Sequence, residues 1–206
     1  MKLPRRGVCL VIAAPSGAGK SSITRALLKL EPELTLSVSV TTRAPRPGER
    51  DGLDYLFRSQ SEFEALAASG GLLESARVFG RSYGTPRAPV EEALAAGRDM
   101  ALDIDWQGYG SLRRALPGDV VGVFILPPSL SSLEARLRSR GDDPEIIAAR
   151  MDAARAEIAH WAEFDHVVVN DAFEYAVQSV RALLHAARLA SARQRGAAEF
   201  VARLIG

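Results

Sequence analysis

The sequence predicts an α/β fold with a mainly parallel sheet flanked by helices, and three observations carry that expectation. Apolar strand-like runs alternate with helical runs from Val8 onward, as in parallel sheets joined by crossover helices. The first apolar run, VCLVIA, passes through a loop of small residues directly into Lys20-Ser21-Ser22 and a helical pattern, which reads as strand, phosphate loop, helix. Two stretches interrupt the alternation: a β-rich one at about 37–88 and an arginine-bearing helical pair at about 129–161. No internal repeat or low-complexity tract is present.

Composition narrows the function classes. The 206 residues are 47% hydrophobic and 25% charged, enough for one core carrying small inserted lobes. A net charge of +1, from bases and acids spread along the chain, provides no global field for nucleic acid or a membrane surface. Neither is expected as a partner. The single cysteine, Cys9, excludes an internal disulfide and lies in an apolar run, which suits a reducing, cytoplasmic setting. Lys2, Arg5 and Arg6 before Val8–Ala14 could pass for a short leader, but cleavage there would destroy the phosphate loop.

In the loop, Ala14 occupies the first glycine position of G-x-x-x-x-G-K-[ST], while Gly19, Lys20 and Ser21 match. Backbone amides of Ala14, Pro15 (which has no N–H and shapes the turn), Ser16, Gly17, Ala18, Gly19 and the helix start through Ser22 would cradle phosphate. Lys20 adds a positive charge, and the Ser21 hydroxyl is placed to ligate magnesium. An ordinary turn is the competing reading, but lysine supplies only 3 of the 26 basic residues. The expected ligand is a nucleoside triphosphate.

Ile23, Ala26, Leu27 and Leu30 continue a helix that Glu31-Pro32 ends. LTLSVSVTT then alternates as one strand and leads into a loop with prolines 45 and 47 and arginines 43, 46 and 50. Its guanidinium forks suit phosphate oxygens, although a solvated basic loop has the same composition. Asp54–Phe57 reads as a short strand, Ser61-Glu62 as a helix start with a capping box, and Gly70-Gly71 as its end. Leu72–Phe79 reads as a strand containing Glu74, followed by Gly80-Arg81-Ser82-Tyr83-Gly84-Thr85-Pro86. An edge charge facing water is the plain alternative for Glu74.

Pro89–Ala96 reads as a helix, and Asp99–Asp105 as a buried strand placing Asp103 and Asp105 on one face at its carboxyl end, where open α/β sheets bind ligands. Val120–Leu126 is a further strand. Ser129 caps a helix carrying Arg136 and Arg140, and Glu145–Trp161 forms a second, with Arg150 and Arg155. A solvated helical face explains such arginines equally well. His166–Val169 is the last strand, reaching Asn170, and 173–204 is largely helical. The loop lacks the third glycine of a dinucleotide fingerprint, His160, His166 and His185 lack close metal-ligating partners, and no G-x-S-x-G elbow occurs.

Taken together, APSGAGKSS, SVSVTTRAPRPGE, DGLDYLF, the Glu74 strand, YGTP, LDIDWQG, ILPPS, RLRSRG and VVVND occur in an order that resembles the guanylate kinases. The resemblance covers nearly the whole chain. It implies a P-loop kinase fold with a core at 1–36, 89–128 and 162–206, a GMP-binding lobe at 37–88 and a lid at 129–161. It implies transfer of a phosphoryl group from ATP to GMP, with dGMP also accepted and magnesium required.

Position by position, the resemblance assigns Ser39, Arg43, Arg46, Tyr55 and Tyr83 to the GMP phosphate and Glu74, Thr85 and Asp103 to guanine. Asn170 falls near the ATP base, and Ser21 at magnesium with Asp105 acting through a water. Lys20, Arg43, Arg136 and Arg140 would carry catalysis by alignment and charge neutralisation. Val40 departs from the polar residue common there, whereas Ala14 is a usual variant. Segment 193–206 matches no motif; it reads as a terminal helix packing on the core or on another subunit, which leaves a homo-oligomer open. A scaffold-type module that binds phosphopeptides and a P-loop kinase acting on another small molecule are the competing readings.

Overall fold

The computed structural model describes residues 3–78, 80–139 and 143–206. Its centre is strand β1 (Cys9–Ala13), buried along its whole length. The β1 strand pairs in parallel with β7 (Asp99–Leu102) and β8 (Val120–Leu126), while β2 (Leu34–Leu36) and β9 (His166–Val169) form the edges in the order β2-β7-β1-β8-β9. Side chains alternate across the sheet. Cys9, Val11 and Ala13 pack with residues of α3 (Arg87–Ala95) and α4 (Trp106–Ala115). Leu10 and Ile12 pack with α1 (Lys20–Leu30) and α7 (Phe173–Leu189). Coverage of both faces explains why β1 and β8 read as continuous apolar runs.

A second sheet, ordered β4-β3-β6-β5, is formed by β3 (Val40–Thr41), β4 (Leu56–Phe57), β5 (Leu72–Val78) and β6 (Arg81–Pro86). Helix α2 (Gln60–Ala68) seats Phe63 against Val40 and Leu72. LTLSVSVTT is therefore not one strand: its first part is the edge of the main sheet, and its last part lies within the second. Alternation persists through such a crossing because side-chain period carries no information about which sheet a segment joins.

The structure revises several further elements. Residues 81–86, to which the sequence assigns no element, form β6 in a hairpin with β5 that pairs Val78 with Arg81; residue 79, the expected end of β5, lies outside the described residues. The capping box of α2 belongs to Ser59, whose hydroxyl accepts the Glu62 N–H at 3.2 Å while Glu62 accepts the Ser59 N–H at 2.7 Å. The α4 helix was not anticipated. The preceding strand stops at Leu102, and Asp105 caps α4 by accepting the Gly108 N–H at 2.8 Å. Asp103 and Asp105 thus follow the strand instead of sharing one of its faces.

Helices α5 (Leu130–Arg138) and α6 (Pro144–Ile158) pack against the phosphate loop through Leu133, Ala154 and Ala18. The C-terminal segment divides into α7, a 3-10 turn at Ser191–Arg193 and α8 (Ala197–Ile205). Among the described residues no helix is long and apolar enough to cross a membrane.

Beyond the amino ends of the strands, charges fasten the termini to the core. Glu31, only 5% exposed, meets Arg181 at 2.7 Å, His185 at 2.7 Å and Arg188 at 2.5 Å. Arg188 continues to Asp99, which also accepts Arg5. Burial alone would raise the Glu31 carboxyl, but its hydrogen bonds from Arg181, His185 and Arg188 outweigh that and hold it at about 2. A depressed folded-state pKa stabilises the fold above the unfolded value, and that stabilisation is lost as pH falls toward about 2. Glu31→Gln is accordingly expected to lower unfolding free energy by on the order of 3 kcal/mol at pH 7. In urea denaturation its deficit against the parent should shrink as pH falls below about 4.5.

Candidate active site

The phosphate loop leaves the carboxyl end of β1 and enters α1 through Gly19, whose φ of 104° is left-handed. A Cβ there would stand 2.4 Å from the Asn170 amide nitrogen, so both conformation and space require glycine. The Asn170 amide donates to the Ala18 carbonyl at 2.7 Å, and the Arg136 guanidinium donates to the Asn170 carbonyl at 3.1 Å. Asn170, buried at the end of β9, and Arg136, on α5, together brace the loop. Loop residues 14–17 and 19–22 line a cleft of about 300 Å³, while Ala18 is buried beneath it.

Across Lys20 a second cleft, of about 400 Å³, opens between the two sheets. Ser39, Tyr55, Glu74, Tyr83 and Asp103 line it. Glu74 is 7% exposed, so it is not the edge charge facing water that its strand position also allowed. Its carboxylate accepts the Thr85 hydroxyl at 2.6 Å from the neighbouring β6 strand. Burial pushes the carboxyl up, the Thr85 hydrogen bond opposes that, and Asp105 adds to the rise. Gly108 leaves room beside it: a Cβ there would lie 2.9 Å from a Glu74 oxygen.

Tyr55 and Tyr83 meet edge to face at 6.1 Å, and the Arg43 guanidinium lies 5.3 Å from the centre of the Tyr55 ring. Arg43 also donates to Glu49 at 2.8 Å, and that bond, with a further one to Tyr83, raises its already high pKa. Glu49 accepts the backbone N–H of Arg46 at 2.7 Å as well, folding the basic loop so that Arg43 turns inward. The side chain of Arg46 stays exposed.

The clefts meet at Lys20, Asp105 and Glu157, which line both. Lys20 is ion-paired with Asp103. Ser21 and Asp105 face the first cleft, giving it a hydroxyl and a carboxylate as oxygen donors. Arg140 lies outside the described residues. Of the other residues expected at the site, Arg46 is exposed and Arg136 reaches the phosphate loop through the Ala18 and Asn170 carbonyls; the rest line a cleft or adjoin residues that do.

Sequence reasoning missed Glu49, Glu157 and the stacked pair of Trp106 and His160, whose rings lie 3.4 Å apart at 6°. For Glu157 a signal existed, since helical spacing from Ile147 and Ala154, both buried, places it beside the inward stripe. No comparable signal announces Glu49 or the ring pair.

The family model described as guanylate kinase matches residues 6–187. A guanylate kinase of Granulibacter bethesdensis is 66% identical over 190 residues, covering 92% of this chain and 89% of that protein. One from Gluconobacter oxydans is 62% identical over 202 residues, covering 98% and 97%. Among solved structures, guanylate kinase from Anaplasma phagocytophilum superposes with a TM-score of 0.79 at 36% identity, covering 96% of this chain and 94% of that one.

Proposed function

This chain belongs to the guanylate kinase family and is an ATP:GMP phosphotransferase, and we propose that its two clefts divide the work, the first holding ATP and the second GMP. The observation that carries this reading is Glu74, a buried carboxylate set between Thr85 and the open second cleft. Guanine offers donors at N1 and at its exocyclic amine, both of which an ionised Glu74 can accept. Adenine presents an acceptor at N1 and would leave the carboxylate unsatisfied, at a cost of about 1–3 kcal/mol per lost partner.

In this reading Thr85 orients Glu74, and Asp103 completes the guanine contacts. Ser39, Arg43, Arg46, Tyr55 and Tyr83 hold the acceptor phosphate. The loop amides and Lys20 hold the β- and γ-phosphates of ATP. Residues 129–161 form the lid, bringing Arg136 and Arg140 to the transferring group, and 37–88 form the GMP-binding lobe. The oxygen donors of the first cleft fit magnesium, which retains waters and takes ligands from substrate phosphates: Ser21 would hold it directly and Asp105 through a water. When bound, the ion supplies positive charge against the developing charge of the transferred group.

A GMP phosphate oxygen attacks the γ-phosphorus as the bond to the ADP oxygen breaks. The attacking oxygen is already anionic, so the protein need remove no proton. Its task is alignment and charge neutralisation. The acceptor assignments rest on the guanine base and the phosphate, and dGMP, which carries both, is expected to be accepted as well. We place the enzyme in the cytoplasm, in purine nucleotide metabolism and GMP recycling, acting on free nucleotides.

An acceptor panel tests this assignment. With ATP and magnesium, ADP release coupled to NADH oxidation should be sustained by GMP and dGMP, and stay near background with AMP, CMP, UMP or a sugar phosphate. Turnover with AMP equal to that with GMP would overturn the role given to Glu74. A phosphopeptide-binding module would give no GMP-dependent ADP at all.

A further inference from the structure

The meeting point of the clefts carries more negative charge than the assigned roles use. Asp103, Asp105 and Glu157 line the second cleft together with Lys20, and Asp103 is already paired with its ammonium. Glu157 lies in the last turn of α6, half-buried, and lines both clefts. Burial raises its carboxyl, Lys20 draws it down and Asp105 pushes it up again.

Its position is held from two sides. Ala154, one turn earlier, is packed into the cluster beneath the phosphate loop. His160, just past the end of α6, stacks on Trp106, the residue that follows Asp105. The two carboxylates are thereby kept near one another at the edge of the phosphate-loop cleft. A polyphosphate entering that cleft meets like charge, which is costly unless a cation lies between.

We propose that Glu157 is a positioning residue for the donor: together with Asp105 it accepts hydrogen bonds from the water shell of magnesium bound to ATP. This rests on the magnesium assignment to Ser21 and Asp105 above. Partners of this kind typically change metal affinity by about 10–100-fold when removed.

The test reads binding without turnover. An ATP analogue with a β,γ-imido bridge is titrated calorimetrically into the parent and Glu157→Gln, with magnesium and with a chelator. In the parent, magnesium should tighten binding. In Glu157→Gln that gain should fall about tenfold, while metal-free binding is unchanged or tighter because a repelling charge is gone. Glu157→Asp, which keeps the charge, should retain more of the gain than Glu157→Gln. A gain fully retained in Glu157→Gln overturns this inference alone, as does equal weakening with and without the ion, which would mark a role in shape or in holding Lys20. A parent with no magnesium gain overturns the underlying assignment and this inference together. Unchanged GMP affinity and melting temperature establish that the variant is folded.

Discussion

Lys20→Met is expected to lower kcat by on the order of 10²–10³-fold while changing GMP affinity by less than about threefold. The ammonium projects from the first turn of α1 into the junction of the clefts, where it is paired with Asp103 and lines the phosphate-loop cavity. Methionine keeps much of the length and removes the charge, so the loop bracing by Asn170 and Arg136 is untouched. On the proposed assignment, what disappears is charge placed against the β- and γ-phosphates at the moment of transfer. Steady-state kinetics with saturating GMP read the loss, and direct GMP titration reads the retained affinity.

Glu74→Leu has the second large effect, confined to the acceptor. Removing the carboxylate takes away both of the hydrogen-bond acceptors proposed for guanine and leaves the Thr85 hydroxyl buried without its 2.6 Å partner. The kcat/KM for GMP should fall on the order of 10²-fold, and the preference for GMP over AMP should shrink by a similar factor. Leucine has comparable bulk and suits the apolar side of β5. Stability therefore changes less than specificity, and ATP affinity remains near that of the parent. Comparing kcat/KM for GMP and AMP in both proteins checks this.

How far these assignments could be read from sequence depended on whether the relevant chemistry was local. The phosphate loop was legible because Gly19, Lys20 and Ser21 need only their own strand and helix for context. The bounds of β8 were legible because a strand buried in a parallel sheet is apolar throughout, and those of the edge strand β9 because its valine run favours a strand although most of it is exposed. Strand β6 was not, since its Gly-, Ser- and Pro-containing sequence has the composition of a turn, and its strand character comes from pairing with β3 and β5. Helix α4 was hidden by Gly108 and Gly110, residues that weaken helix propensity; Gly108 makes room for Glu74.

The acceptor residues divide similarly. Ser39, Tyr55, Glu74 and Tyr83 had no individual distinction in the pattern of apolar and polar residues, and only their resemblance to a family singled them out. The second sheet collects them around one cleft from four separate segments. Glu49 and Glu157 escaped notice because acids on a loop and on a helix are ordinarily solvated. Their partners, Arg43 for one and the cleft junction for the other, become visible only once the chain is folded.

The central claim is that one cleft holds the donor, the other reads the acceptor, and Lys20 and Glu74 mark the two. Its most direct test is a crossed binding measurement: the β,γ-imido ATP analogue and GMP, each titrated separately into the parent, Lys20→Met and Glu74→Leu. The account predicts a double dissociation, with Lys20→Met weakening the analogue and sparing GMP, and Glu74→Leu weakening GMP and sparing the analogue. If either substitution weakens both ligands to the same degree in a folded protein, the division of labour between the clefts is wrong.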